Sequence, residues 1–522
     1  MTPATRRHIG IASVILMTSV AASRAVGLLR EMAIAFTAGA GREVDAYQLA
    51  FILPEILNHV AASGFLSVTF IPMFTRRRVE SGEARAWDAF SAIAGVYGAC
   101  VLLAVAAAML FAPALVALAA PGIGDPATLA AAARMTRIIL PAQLCFFLGS
   151  LLMAVQFAHE RFLLPALAPL LYNAGIIAGG YFLGPRVGVE GFAWGVLAGA
   201  LAGNLLLQAA GARRVGMPLR LSLRWRDPAV GEYLRRTLPL AVGLTMTFST
   251  EFLFRFFGSY LPAGSVAVLN FGLRVMLVLV GVFGQAVGTA SFPYLSRLAA
   301  ENDLAEMNRV LNLTLRCLAL MIPAAVFLMV VSPEIVRLLF ERGRFDPGAT
   351  RLTAEVLVFL LAGAFAFSAY TVVVRGYYAL QDTLFPALFG SLAVGASIPL
   401  YILGLRAMGA GGVALAISAS GVLQVAVLYL LWSRRSGNAA RGEVLRFYGK
   451  SALLGLAMAP PLSAFRGLLL GRLDPGSAAG SLAVILLTGA LFGVLMLAAA
   501  YGLKIREITE LAARAGRLLR RR

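Results

Sequence analysis

Apolar runs of about 18 residues or more recur from one end of the chain to the other, each long enough to cross about 30 Å of hydrocarbon as an α-helix. Between them lie only short breaks rich in Gly, Pro and Arg, and no polar segment is long enough to fold as a soluble domain. Of the 522 residues 60% are hydrophobic and 13% charged, about half the charge a soluble protein carries. The expected class is therefore an all-α polytopic membrane protein. The net charge of +20 sits in the short breaks, which is the pattern of membrane orientation and excludes a nucleic-acid-binding role. Cys100, Cys145 and Cys317 fall in apolar segments without metal spacing and are expected to pack. Arg6 and Arg7 precede an apolar run ending in small residues at Ser19–Ser23, as in a signal peptide, but apolar character resumes after Arg24, so a retained first helix is expected.

The runs give about fourteen expected spans: 9–37, 44–74, 87–118, 128–158, 163–184, 190–211, 233–261, 265–295, 305–332, 350–380, 384–405, 411–433, 450–470 and 479–503. Several are long enough to require tilt or bending. Basic residues alternate across them. One side holds Arg6, Arg7, Arg76–Arg78, Arg85, Arg213, Arg214, Arg220, Arg224, Arg226, Arg297, Arg434, Arg435, Arg441, Arg446 and the tail from Lys504 to Arg522. The other holds Arg42, Arg186, Arg342, Arg344, Arg406 and Arg472, mostly singly. By the positive-inside rule both termini are expected in the cytoplasm, and the tail reads equally as an interfacial basic helix or as a plain orientation signal.

The first twelve spans repeat. Pro72-Met-Phe-Thr-Arg76 returns as Pro293-Tyr-Leu-Ser-Arg297, Leu164-Pro-Ala-Leu167 as Phe385-Pro-Ala-Leu388, and Gly191-Phe-Ala193 as Gly412-Val-Ala414, all 221 residues on. Tyr181-Phe-Leu-Gly-Pro-Arg186 returns as Tyr401-Ile-Leu-Gly-Leu-Arg406 at 220. A six-helix unit brings the chain back to its starting side, so the copies are parallel, related by a pseudo-two-fold axis along the membrane normal. Such halves place a substrate site between them. The expected organisation is a six-helix lobe over 1–226, a second over 227–446, two added helices over 447–505 and a basic cytoplasmic tail over 506–522.

An ionisable group in a span costs about 2.5–3.5 kcal/mol on insertion scales and normally faces a cavity or a partner. Here such groups concentrate in the first two spans of each copy: Arg24, Arg30 and Glu31; Asp45, Glu55 and His59; Glu251 and Arg255; and Arg274. Glu251 and Arg255 are spaced to pair on one helix face. Arg30 and Glu31 are adjacent and so expected on different faces. Unpaired arginines in mid-membrane suit an anionic cargo, because the planar guanidinium holds phosphate oxygens bidentately; snorkelling to the headgroups is the bland alternative for any one of them. Arg134, Arg137 and Arg316 read as interfacial or packing charges, and Arg375 and Asp382 as loop anchors. His8, His59 and His159 are far apart, and no nucleotide loop, zinc motif or nucleophile elbow is present, so neither an enzyme nor a bound cofactor or metal is expected.

Ser23-Arg24-Ala-Val-Gly27-Leu-Leu-Arg30-Glu31 resembles the first-helix signature of the MurJ (MviN) lipid II flippases of the MOP superfamily. Further likeness lies in Asp45-Ala46, Pro54, the stretch from Gly64 to Pro72, and Arg161-Phe-Leu-Leu-Pro165-Ala-Leu-Ala-Pro169-Leu-Leu-Tyr-Asn173. Gly264-Ser265-Val266 through Arg274 and Gly376-Tyr-Tyr-Ala-Leu-Gln381-Asp382-Thr383 extend it over nearly the whole chain. The resemblance implies two six-helix lobes around a cationic cavity, two C-terminal helices forming a groove for a lipid tail, and alternating access that moves an undecaprenyl-pyrophosphate disaccharide-peptide to the outer leaflet of the bacterial inner membrane. It implies that Arg24, Arg30 and Arg274 meet the pyrophosphate while Glu31 and Asp45 tune the cavity or the gate.

The chain departs from the family pattern at Asn58, beside His59, where an arginine is usual. It departs again at Ser63 and Leu277 in place of acids, and in carrying Glu251 and Arg255. From this we expect Arg255 and Glu251 to replace the missing pair from a neighbouring wall of the same cavity, with Arg255, Asn58 and His59 among the substrate-binding residues and Glu55 and Glu251 among those that tune the cavity or the gate. The sodium site of some members is not expected, since Phe254 occupies the seventh-helix acid position; coupling to membrane potential, about 2.3 kcal/mol per charge per 100 mV, stays open. Expected partners are the lipid-linked glycan, membrane lipids and cell-wall synthesis proteins, with a monomeric protein. The rival readings are a flippase for another polyprenyl-linked glycan, a cation-coupled drug antiporter and a membrane glycan transferase. An antiporter cavity would favour carboxylates, and a transferase would need acidic outer loops that are not present.

Overall fold

The computed structural model describes residues 3–61, 65–218, 220, 222–243, 245–474 and 476–502. Helices and the turns between them account for these residues, with no strand among them. By length and apolarity eight helical stretches among the described residues can cross a membrane, and the bent pair Pro347–Leu361 and Ala364–Ala379 makes a ninth. One of the eight, Leu384–Arg435, runs 52 residues and contains two expected spans, parted at Gly409, where φ 57° and ψ −126° break the helix. The shortfall from fourteen falls on the first two spans of each copy. There the chain forms shorter or charge-bearing helices: Pro3–Ala38; Arg42–Leu49, Ile52–Ala61 and Phe65–Ser81; Pro228–Gly243 and Thr245–Gly258; Ser265–Val280, a π-helical turn Gly281–Gln285, and Ala286–Ala300. These are the segments that carry the ionisable groups.

The 221-residue repeat recurs in the backbone. Glu83–Leu110 and Leu304–Ala319 begin at equivalent positions, as do Leu163–Val187 and Leu384–Arg435. Pro126–Ile139 and Pro347–Leu361 each start with proline behind an aspartate cap. Asp125 accepts from the Ala127 and Thr128 amides and Asp346 from the Ala349 amide, so each satisfies N–H groups that a helix start leaves open. Left-handed backbone recurs at the same interval at Glu160 and Gln381, Gly188 and Gly409, and Gly216 and Gly437. Chain reversals need such residues at fixed points, and non-glycine residues there are uncommon.

The helices group into two compact units, Met1–Ala267 with Gly343–Phe345, and Val268–Arg342 with Asp346–Arg522. Packing thus divides the chain after the seventh-span helices, which lie against Ile52–Ala61, Phe65–Ser81 and Glu83–Leu110 of the first unit. The second unit has its own core around Trp432, Tyr377, Leu428, Leu311 and Leu315, and the Trp432 indole N–H donates to Asn308 Oδ1 at 2.8 Å. The added helices Arg441–Leu470 and Ala478–Gly502 pack on Met321–Val330 and Ser332–Phe340 respectively. Arg466 anchors them by a bidentate pair, Nε to Glu334 Oε2 at 3.0 Å and Nη2 to Oε1 at 2.8 Å. The basic tail 506–522 lies outside the described residues.

The Glu334 side chain is 1% exposed, against 25% for Arg466. Removing one partner of such a pair strands a buried charge, whereas replacing both with apolar groups does not. Arg466→Ala should destabilise the detergent-purified protein by about 3 kcal/mol in thermal unfolding, and Glu334→Met/Arg466→Met should recover most of that loss.

Candidate functional site

The first-helix and fifth-helix motifs meet in the first unit. Pro3–Ala38 packs along Leu163–Val187, and the Ser19 hydroxyl donates to the Ala166 carbonyl. Deeper along the same contact, Arg30 Nη1 donates to Asn173 Oδ1 at 3.1 Å and Nη2 to Glu31 Oε1 at 2.5 Å. The expectation that adjacent Arg30 and Glu31 cannot pair is therefore corrected: the three-methylene arginine stem is long enough to carry its head round to the neighbouring face. Asn173 is aimed by its own amide, Nδ2 donating to the Pro169 carbonyl at 2.8 Å. Glu31 is buried and Arg30 half-buried. The Arg30 Nε–H is buried and makes no hydrogen bond, so one edge of the guanidinium is committed and one donor is not.

A second group joins the second and seventh spans. Arg255, on Thr245–Gly258, is 1% exposed and grips Glu55 of Ile52–Ala61 with both terminal nitrogens, Nη1 to Oε2 and Nη2 to Oε1, the latter at 3.0 Å. Glu251, one turn back on the same helix, lies 3.4 Å from Nη2. The expected i,i+4 pair is present, but the closer partner comes from another helix, 200 residues away. Phe254, at the position where a sodium-site acid would stand, is buried with its ring 4.9 Å from the Arg255 guanidinium carbon. Glu31 adds a longer-range attraction to the same guanidinium, which links the two groups electrostatically. His59 is oriented by Nδ1 at 3.0 Å from the Glu55 carbonyl, and Asn58 is half-buried beside it. Ser63 lies outside the described residues.

Asp45 is buried and accepts from the backbone N–H groups of Gly264 at 2.5 Å and Ala267 at 2.8 Å. It therefore caps, from a distant part of the chain, the helix that opens at Ser265. Arg24 is exposed on the first helix, and Arg274 is half-buried on Ser265–Val280, within the part of the chain that belongs to the second unit.

The remaining charges take structural posts. Arg134 pairs with Glu190 at 2.9 Å and Arg137 Nε donates to the Met109 carbonyl. Arg316 lies 5.1 Å over the Phe447 ring. Asp382 pairs with Arg435 at 2.8 Å and accepts the Phe385 amide, whereas Arg375 sits against Gly288. No group of three or more metal-ligating side chains occurs among the described residues. Asn173 is the member of the site that charge-based reading passed over. Its signal was its place in the fifth-helix motif one turn after Pro169.

The family model for lipid II flippase MurJ matches residues 34–476. A probable lipid II flippase MurJ of Rhizobium meliloti (strain 1021) is 28% identical over 78% of both chains. The lipid II flippase MurJ of Burkholderia cenocepacia is 27% identical over 84% of this chain and 86% of its own. Among solved structures, a lipid II flippase MurJ in an inward closed conformation superposes with a TM-score of 0.75 at 23% identity, covering 94% of this chain and 99% of that one. An inward-facing multidrug resistance MATE transporter of the MOP superfamily gives 0.60 at 16% identity, over 80% of this chain and 94% of its own.

The doubly held guanidinium has a measurable consequence. Glu55→Gln with Glu251→Gln leaves Arg255 buried with its nearest counter-charges removed. This should lower stability by about 3–5 kcal/mol, and Arg255→Met in that background should restore most of it, read as unfolding midpoints in detergent.

Proposed function

The chain belongs to the lipid II flippase MurJ family, and from that membership we propose that it carries lipid II, a polyprenyl-pyrophosphate-linked peptidoglycan precursor, across the bacterial inner membrane. Arg30 is the observation that supports a pyrophosphate cargo most directly. Its head is fixed by Glu31 and Asn173 while its buried Nε–H has no hydrogen-bond partner, so an opening of the site would bring a phosphate oxygen to a donor whose guanidinium is already ordered. Arg24, on the same helix as Arg30, supplies a further guanidinium for that anion. The arginine-rich loops support cytoplasmic termini, and in this reading transport runs from the cytoplasmic to the outer leaflet by alternating access.

The other residues divide by what they touch. Asp45 holds the first turn of the helix opening at Ser265, and its release is a step in moving the gate. Arg255, locked to Glu55 and Glu251, ties the second span to the seventh and presents their joint charge to the wall carrying Asn58 and His59. In this reading Arg255 replaces the arginine the family usually has in the second helix.

Depleting the protein in its host and analysing lipid-linked intermediates tests the cargo. Lipid II should accumulate on the inner face; unchanged lipid II with loss of a surface polysaccharide would assign the protein to another polyprenyl-linked glycan. In the same assay Arg24→Ala and Arg30→Ala should each reduce transport by about 10- to 100-fold, the equivalent of one charge-assisted hydrogen bond. Arg255→Ala should also reduce it, and full transport by that variant alongside loss in Arg24→Ala would remove Arg255 from the site.

A further inference from the structure

The segment from Arg213 to Arg226, ahead of the seventh-span helices, holds five arginines and no acid. Its path is set by backbone contacts with the helix Glu83–Leu110 of the same unit. The Ser222 amide donates to the Ser91 carbonyl at 3.2 Å. A Cβ on Gly95 would stand 2.3 Å from the Ser222 carbonyl oxygen, so only glycine admits this approach. The segment nonetheless leaves large apolar groups uncovered: Leu223 is 69% and Trp225 70% exposed. Arg220, Arg224 and Arg226 are exposed alongside them. Arg226 lies 4.9 Å over the Trp225 ring, while Arg224 Nε donates to Ser222 Oγ at 2.9 Å and its Nη2 lies 3.6 Å from Asp88.

An exposed indole with one guanidinium over its ring and two further exposed arginines within five residues, on the arginine-rich side of a membrane protein, matches the headgroup layer in both polarity and charge. Arginine binds phosphate bidentately, and attraction to an anionic leaflet grows with each basic residue near its surface. We propose that Arg220, Leu223, Arg224, Trp225 and Arg226 form a binding site for anionic phospholipid headgroups, with the three arginines on the phosphates and Leu223 and Trp225 lodged at the boundary with the acyl chains. Charge complementarity selects the occupant: a zwitterionic lipid offers the same phosphate but cancels it with its own ammonium. The site is separate from the groups around Arg30 and Arg255 and fixes the depth at which the linker between the two repeats rests.

The test reconstitutes the full chain, without lipid-linked glycan, in phosphatidylcholine vesicles containing equal mole fractions of either brominated phosphatidylglycerol or brominated phosphatidylcholine. Tryptophan emission that disappears in Trp225→Phe isolates the Trp225 signal. Brominated phosphatidylglycerol should quench that signal more strongly than brominated phosphatidylcholine, and added salt should shrink the difference. Arg220→Gln/Arg224→Gln/Arg226→Gln should abolish the preference while leaving quenching by both lipids. Equal quenching by the two lipids in the unmodified chain would overturn the anionic selectivity. Absence of quenching by either would place Trp225 away from lipid and overturn the site altogether, so the unmodified chain decides the matter even if the triple variant does not fold.

Discussion

An ionised side chain inside a membrane-embedded bundle has to be met by an opposite charge or a full set of hydrogen bonds, and the described structure is arranged around three places where this happens. Arg30 is met by Glu31 and Asn173, Arg255 by Glu55 and Glu251, and Arg466 by Glu334. The last of these needs only to hold, and it joins an added helix to the second unit through a carboxylate that is almost fully buried. The first sits between the long helices Pro3–Ala38 and Leu163–Val187, and the second lies where long apolar helices give way to the short ones Ile52–Ala61 and Thr245–Gly258. That coincidence follows from energetics: a charge lowers the apolarity of its span, and fixing it against a partner on another helix favours breaks that let each short piece set its own angle.

The duplication was legible from the sequence because its markers are residues with few alternatives. A proline one or two positions into a helix, an aspartate before it and a glycine at a reversal are tied to backbone geometry, so they keep their spacing while the lipid-facing residues between them drift. The structure adds markers that composition could not show. Glu160 and Gln381 carry left-handed backbone at equivalent positions although neither residue type advertises it. Gly188 and Gly409 share the same role, and the second of them divides what otherwise runs as one long helix.

Partner choice was less legible, for a reason particular to helices in a bundle. Spacing rules describe neighbours on one helix surface, and the i,i+4 rule found Glu251 beside Arg255. They are silent on which helix packs next to which, so the closer contact with Glu55 could not be read from spacing. The rule that adjacent residues face apart misjudged Arg30 and Glu31, because it describes Cβ directions and not the reach of a long side chain. Asn173 was missed on the same account. An uncharged residue draws no attention until the geometry shows its Oδ1 on a guanidinium and its Nδ2 on the carbonyl of a helix proline.

The departure at the second helix can be weighed on these contacts. Where the resemblance leads one to expect a cation, the chain has Asn58, half-buried, and one turn earlier it keeps Glu55. A carboxylate left in that wall without a cation would be costly in a low-dielectric setting. Arg255 meets it from the seventh helix, and Glu251 adds a second carboxylate to the same guanidinium. The pairing gives Glu55 and Glu251 a common counter-charge, and Thr245–Gly258 packs directly on Ile52–Ala61, within reach of that acid. What such a carboxylate requires is a cation at that place, and here the seventh helix carries it.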